Sequence, residues 1–475
     1  MILLYKVKLS KSRAKTKSIK SMMVTTSKFR KRSLPVIYFF LMSIMVNAQG
    51  ILEKYIETGL KNNLVLQQKN ISLETAMNAL KTADRLFFPS MDLKGDYQSG
   101  DGGRSISFPV GDMLNPVYRT LNQLTSGNAF PDISNVETNF FPQNFYDLKV
   151  RTSLPLVNSD LIYNRTIRKQ QITLQEYDVE IYKSELTRNI QVAYYNYLSA
   201  AKSIAIYDGA LSLAQEARRM NQSLLDNGKS LKAYVLRSES EIQSLEAKRT
   251  SALQQMKNAQ MYFNFILNTN PDEAIDTAYV VSIDQNIVDQ YLLNEASISN
   301  RTELKALDQS ASIYQNVLKM NKAYWVPKLN GFLDLGSQAS DWKFNNKSKY
   351  YFFGFQLDFP LFSAGKNRIM IKQSELDLKN QLINNTYTRN HIQLSANMAR
   401  NSLMASYRNY AASIKQLDAA TAYNKLIEKG YKEGINTFIE TIDARNQLTS
   451  ASLQLVINKY QLLAAVATYE REINK

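Results

Sequence analysis

Cysteine is absent from this chain, which excludes disulfides, thiolate metal sites, a cysteine nucleophile and a lipidated N-terminal cysteine. His391 is the sole histidine. It stands beside Arg389 and Asn390 in a helix-forming stretch and reads as a surface residue rather than a catalytic base. No glycine-rich phosphate loop, metal-spaced cluster or nucleophile elbow appears, so the sequence points away from an enzyme and implies no cofactor and no metal. Acidic residues are missing altogether from residues 1–48, where eleven Lys and Arg occur, so the net charge of +16 falls to +5 over the remainder. That excess is too small to suggest nucleic acid as a partner. After Ala48 no uninterrupted apolar stretch approaches 18 residues, which argues against membrane-spanning helices.

The leader has its own logic. "KFRKR" (Lys28 to Arg32) precedes the apolar run "LPVIYFFLMSIMV", and "VNAQ" offers cleavage after Ala48. This is the layout of a signal peptide over 1–48. Residues 1–21 read as surplus upstream sequence, since Met22 or Met23 would begin a signal of ordinary length.

Proline is scarce where helices are expected. All ten prolines lie at or before Pro360, with 115 proline-free residues between Pro155 and Pro271 and another 115 after Pro360. Proline in a helix interior costs roughly 3 kcal/mol, so the two equal blocks predict two matched helical regions. The side chains repeat too: "LQQKNISLETAMNALKTADRLFFPSMDLKGD" from Leu66 parallels "LKALDQSASIYQNVLKMNKAYWVPKLNGFLD" from Leu304. "DNGKSLKAYVLRSESEIQS" from Asp226 parallels "KEGINTFIETIDARNQLTS" from Lys432, aligning Gly228 with Gly434.

The chain therefore reads as an internal duplication of α+β type. The first repeat, 49–270, is expected to hold helices across 51–87, strands at about 89–98 and 145–154, a long loop over 99–144, a long helix at 156–226 and a helix at 230–268. A linker, 271–295, leads to the second repeat, 296–475, with a helix at 300–325, strands at about 328–336 and 350–359, a long helix at 363–429 and a helix at 435–473. Pro89 and Pro327 open strands, while Pro155, Pro360 and Gly365 mark strand-to-helix junctions. The first strand pair carries an extra loop of 33 residues, rich in Gly, Pro, Ser and Asn, which reads as an exposed excursion.

"YFFGFQLDFP" places Tyr351, Phe353, Phe355, Leu357 and Phe359 on one face, against Gly354, Gln356 and Asp358 on the other. A half-buried sheet in a soluble protein alternates in the same way. The strands run to about nine or ten residues, enough to cross a bilayer when tilted, and aromatics such as Trp325, Trp342 and Phe362 gather at their ends as interfacial girdles do. Four strands cannot close a membrane barrel, so the reading requires self-association. The proline-free blocks supply helices of roughly 100 Å at 1.5 Å per residue, with an apolar seam through Leu186, Ile190, Ala193, Tyr194, Tyr197 and Leu198.

In the duplicated "LPL" and "FPLFSAG", the pre-strand "FFP" and "WVP", and "KGYKEGINTFIETIDARNQL" from Lys429, the sequence resembles the TolC-like outer-membrane efflux channels over nearly everything after Ala48. The resemblance implies a homotrimer in the outer membrane that extends into the periplasm. Four transmembrane strands per chain would build a 12-stranded barrel in outer-membrane lipid, continued by a helical barrel. The inner end would open when a periplasmic adaptor (membrane fusion) protein and an inner-membrane transporter dock. The protein would serve as the passive exit duct of a tripartite drug efflux or type I secretion complex. By the same resemblance Glu440 and Asp443 match paired acidic residues lining the periplasmic entrance, and Tyr431 matches a gate tyrosine. The gate-holding arginine of the family falls on Asn436 and its aspartate partner on Tyr234, so the lock must differ. An exported structural or adhesive coiled-coil protein, with its strands in a soluble cap, is the alternative.

Overall fold

The computed structural model describes residues 50–474, apart from 142, 280–282, 284, 294 and 295. The leader and part of the 271–295 linker lie outside the described residues. A helix over residues 51–62, α1, stops at Asn63. The Asn63 side chain accepts from the Leu66 amide at 3.0 Å and donates to the Ile266 carbonyl at 3.0 Å. It therefore caps α2, Leu64–Arg85, and ties its start to a later helix.

Strand β1, Ser90–Gln98, follows directly on Pro89. The segment expected as a bare loop holds local structure instead: β2 Ser105–Phe108 pairs with β3 Val136–Asn139, and α3 Val110–Leu124 lies between them. Asn115 and Asn122 explain this order, because each side chain both donates to and accepts from the backbone of the returning chain at Ile133 and Phe130. Strand β4, Phe145–Val157, leads into α4, Ser159–Asp226, then α5, Lys232–Leu267, and the short α6, Gln285–Leu293. Next come α7, Thr302–Lys322, a 3-10 turn at Ala323–Trp325, β5 Lys328–Ser340 and β6 Lys349–Asp358. The chain ends with α8, Lys366–Lys432, and α9, Phe438–Ile473. No helix among the described residues is long and apolar enough to cross a membrane.

The position of Pro155 needs correcting. It lies inside β4 opposite Asn330, next to a register shift between Pro155 and Val157, and the strand continues to Val157. β1 begins opposite Ser153, so beyond that point β4 has a neighbour on one side only, where a missing N–H is tolerated. At the second junction Gly365 has φ +79° and caps α8, a backbone state open to glycine at little cost.

The main sheet is antiparallel in the order β1-β4-β5-β6. Among the described residues neither outer strand has a further neighbour. One face carries Met91, Leu93, Val150, Leu335, Tyr351 and Phe353, and Leu93 is 72% exposed. The other carries ions: Arg151 grips Asp334 through two bonds of 2.7 and 2.6 Å, Asp147 pairs with Lys149, and the Tyr350 hydroxyl donates to Asp147 at 2.6 Å. Asp334 is only 2% exposed. Apolar side chains thus occupy one face of the sheet and paired charges the opposite one.

The helices pack as α4 with α5 and α8 with α9, while α4 also touches α9, α2 and α7. At 68 residues, α4 is about 100 Å long. Its core seam of Leu186, Ile190, Ala193, Tyr194 and Leu198 closes on Phe263, Leu267 and Leu66. At Gly59 α1 approaches this seam closely, since a Cβ there would lie 2.4 Å from Ile190 Cδ1. The linker is anchored to this core, the Tyr194 hydroxyl donating to the Asp276 carbonyl at 2.7 Å.

A second joint fastens the start of α7 to the end of α9. Arg301, its side chain 3% exposed, binds Glu303 at 2.7 Å and Glu472 at 2.7 Å, and Arg471 binds Glu303 at 3.0 Å. Burial alone would raise the Glu303 carboxyl, but the hydrogen bonds from Arg301, the local backbone and the two guanidinium charges outweigh it and hold the group below its ordinary value. A carboxylate depressed in the folded state adds stability above its unfolded value, about pH 4.3, and loses it as pH falls through the folded value. The unfolding midpoint should therefore drop on the acid side of that value, and Glu303→Gln should remove part of the slope. An unchanged slope in a pH series of thermal melts would contradict this assignment.

Candidate functional site

The duplicated Gly228 and Gly434 stand at the turns joining α4 to α5 and α8 to α9, with φ of +70° and +75°. Each turn closes by returning amides to the preceding helix, Lys229 to the Leu224 carbonyl and Ile435 to the Gly430 carbonyl, both at 2.8 Å. The two hairpin tips meet. Phe438, the first residue of α9, is buried against Ala217, Ile442, Tyr234 and Tyr431. Its ring centroid lies 5.3 Å from that of Tyr234 and 6.1 Å from that of Tyr431.

Polar contacts extend this cluster inward. The Tyr431 hydroxyl donates to Asn221 Oδ1 at 3.4 Å, and Asn221, fully buried, donates to Ser238 Oγ at 3.1 Å. Burial, with the neighbouring Tyr234, pushes the Tyr431 phenol up, so it stays protonated and keeps its donor. Asn436 turns away from the other hairpin, its amide donating to Glu440 at 3.3 Å and its oxygen lying over Gly430. Among the described residues no ion pair joins the two hairpins. At the tips, aromatic packing and one buried amide join them instead.

Glu440 and Asp443 are both exposed on α9. Glu440 also has a local duty: it accepts from the Thr437 amide at 2.6 Å while the Thr437 hydroxyl accepts from the Glu440 amide, a capping box. The Thr437 amide and hydroxyl, then Asn436, hold its carboxyl below the usual range, which keeps it ionised at neutral pH. Asp443 accepts from Gln447 at 2.8 Å.

Tyr234, Tyr431, Asn436, Gly228, Gly434, Glu440 and Asp443 thus gather at one end. Pro89, Pro155, Pro327, Pro360 and Gly365 lie at the sheet, at the other end of the long helices. Sequence reasoning missed Phe438 and Asn221. The capping-box spacing Thr437-x-x-Glu440 could have placed Phe438 at a helix start, and Asn221 interrupts a small-residue seam with Ala214 and Ala217 at helical spacing.

The chain thus combines an amphipathic sheet with paired long helices whose hairpins end in small turns. Residues 293–471 match the family model described as outer membrane efflux protein. The solvent efflux pump outer membrane protein SrpC and the toluene efflux pump outer membrane protein TtgI, both from Pseudomonas putida, are each 25% identical over 162 residues. That alignment spans 33% of this chain and 34% of each relative. The fold is shared more widely. The Campylobacter jejuni CmeC outer membrane channel superposes with a TM-score of 0.70 at 14% identity, over 89% of this chain and 85% of its own. Vibrio cholerae VceC gives 0.70 at 13%, over 90% and 97%. The chain is TolC-like in fold, and its second half carries the outer membrane efflux protein pattern.

Proposed function

We propose that the protein is a passive outer-membrane efflux channel that works as a trimer. The observation that carries this is the sheet: one face is apolar, the other holds paired charges, and among the described residues neither β1 nor β6 has an outer neighbour. Strand direction alternates along β1-β4-β5-β6, so β6 of one copy can meet β1 of the next antiparallel, and closure removes every edge. Three copies give a twelve-stranded barrel within the range of outer-membrane barrels. The long helices then form a tunnel into the periplasm. Its tips, where Glu440 and Asp443 lie, would be the end that meets a periplasmic adaptor and an inner-membrane transporter, in tripartite efflux or type I secretion.

Outer-membrane fractionation with chemical cross-linking tests this reading. The expected product is a membrane-embedded trimer. A monomer or dimer released by salt washing would instead support the exported structural or adhesive coiled-coil protein.

At the tips, three copies of Glu440 and Asp443 would form two stacked anionic rings that attract cations. Trivalent cations should block single-channel current, and Glu440→Gln with Asp443→Asn should raise the blocking concentration by about a hundredfold. Glutamine can still accept from the Thr437 amide, so the cap survives. Identical block in the double variant would remove these residues from the entrance.

A further inference from the structure

Just inside the tip cluster, α4, α5 and α9 leave a cavity of about 250 Å³ between the two hairpins. Gly209, Ala210, Ala214, Leu245, Phe438 and Ile442 are among the residues that line it. The cavity opens to solvent on one side at the exposed Gly209, where an added Cβ would meet nothing within 4 Å. Three hydroxyl side chains on the wall turn back to their own helices. The hydroxyls of Ser238, Thr449 and Ser452 donate to the backbone of their own helices at Tyr234, Arg445 and Leu448. Their methylene and methyl surfaces remain, and the wall is mostly apolar.

Two charges reach the cavity, and they are not equivalent. Arg445 is paired with Glu428 at 3.3 Å. Glu241 lines the cavity without an ion pair or side-chain hydrogen bond among the described residues. The site therefore offers an apolar slot with one unbalanced negative charge. Small molecules bind in mostly apolar clefts that carry a few placed polar groups, and an unpaired carboxylate selects for a cation.

We propose that this cavity binds a small amphipathic cation, a compact aromatic group bearing one ammonium. The aromatic part would fill the space beside Gly209 and Ala210, and the ammonium would lie at Glu241. Because Phe438 and Ile442 belong to both the cavity wall and the tip cluster, occupancy would brace the two hairpins against each other. The proposal goes beyond the channel reading and rests on the cavity alone, so loss of one leaves the other standing.

The test is a fluorescence titration of the full-chain protein in lipid nanodiscs with three probes of one shape: 1-naphthylmethylamine, 1-naphthalenemethanol and 1-naphthaleneacetate. The amine should bind about tenfold more tightly than the alcohol, and the acetate least. Glu241→Gln should bring amine and alcohol to similar affinity while leaving the alcohol unchanged. Gly209→Leu should abolish binding of all three, and Ala210→Leu provides a second filling should the first disturb folding. Absence of binding to the unaltered protein overturns the proposal. So does equal binding in both filled variants, which would place the probes elsewhere, or an amine preference that survives Glu241→Gln.

Discussion

Replacing Arg301 by alanine is expected to destabilise the protein by about 3–5 kcal/mol, the usual penalty for removing one partner from a buried ionic cluster. Arg301 and Arg471 together balance Glu303 and Glu472. Taking away one guanidinium leaves an uncompensated negative charge where the remaining side chains are 14–21% exposed. It also strips the Glu472 carbonyl of a donor at 2.8 Å. A companion change, Glu472→Gln, restores neutrality, so the double variant should be more stable than Arg301→Ala alone. That non-additivity, read from unfolding midpoints in a double-mutant cycle, separates charge imbalance from simple loss of packing. Additive single effects would mean the cluster does not act as a unit.

Phe438→Ala should have a comparable energetic effect with a different readout. The side chain is 2% exposed and lies between the two hairpins, so truncation should remove about 3–5 kcal/mol of packing. Most of that loss falls on a single joint, with no ion pair among the described residues to hold the hairpins in its place. The tips should part, which paired spin labels on the two turns would register as a longer and broader distance distribution. In a planar bilayer the resting conductance of the proposed channel should rise. Phe438→Leu, which keeps much of the volume, should restore most of the wild-type behaviour. If Phe438→Ala lowers thermal stability yet leaves tip distances and conductance unchanged, the ring supports only the fold of α9.

How far the sequence reveals this architecture depends on the kind of signal. Proline-free blocks predict long helices, and α4 and α8 occupy them because nothing in those stretches interrupts backbone hydrogen bonding. The seam through Leu186, Ile190, Ala193, Tyr194 and Leu198 is buried as its periodicity demands. Tyr195, buried as well, lies off that seam and is covered only because the linker and α9 close over it. Strand limits are less legible. β4 runs through Pro155 because β1 has not yet begun opposite it, a fact of register that local composition does not contain. Likewise the excursion between β1 and β4 has a polar, glycine-rich composition typical of loops, yet Asn115 and Asn122 organise it through bonds to distant backbone.

At the tips, the family resemblance named residues that the fold gathers at one end but not their chemistry. It implied only that a lock with Asn436 and Tyr234 in place of charged partners must differ. What replaces it required knowing that Phe438, from α9, enters between Tyr234 of α5 and Tyr431 of α8. Such a meeting of three helices has no one-dimensional trace. Glu440 shows the converse, a residue with two readings, where the local cap was written in the spacing and the proposed ring depends on assembly.

Joining the hairpins through rings rather than charges sets which variables in the surroundings the junction can feel. Dissolved salt screens ions over about 10 Å at 0.1 M but leaves packed aromatic rings nearly untouched, so changes of ionic strength around the tips should pass without loosening it. Cold and cosolvents that dissolve apolar groups act on that contact directly. A cell carrying this protein would find the joint weakest when chilled or bathed in organic solvent, and indifferent to brine.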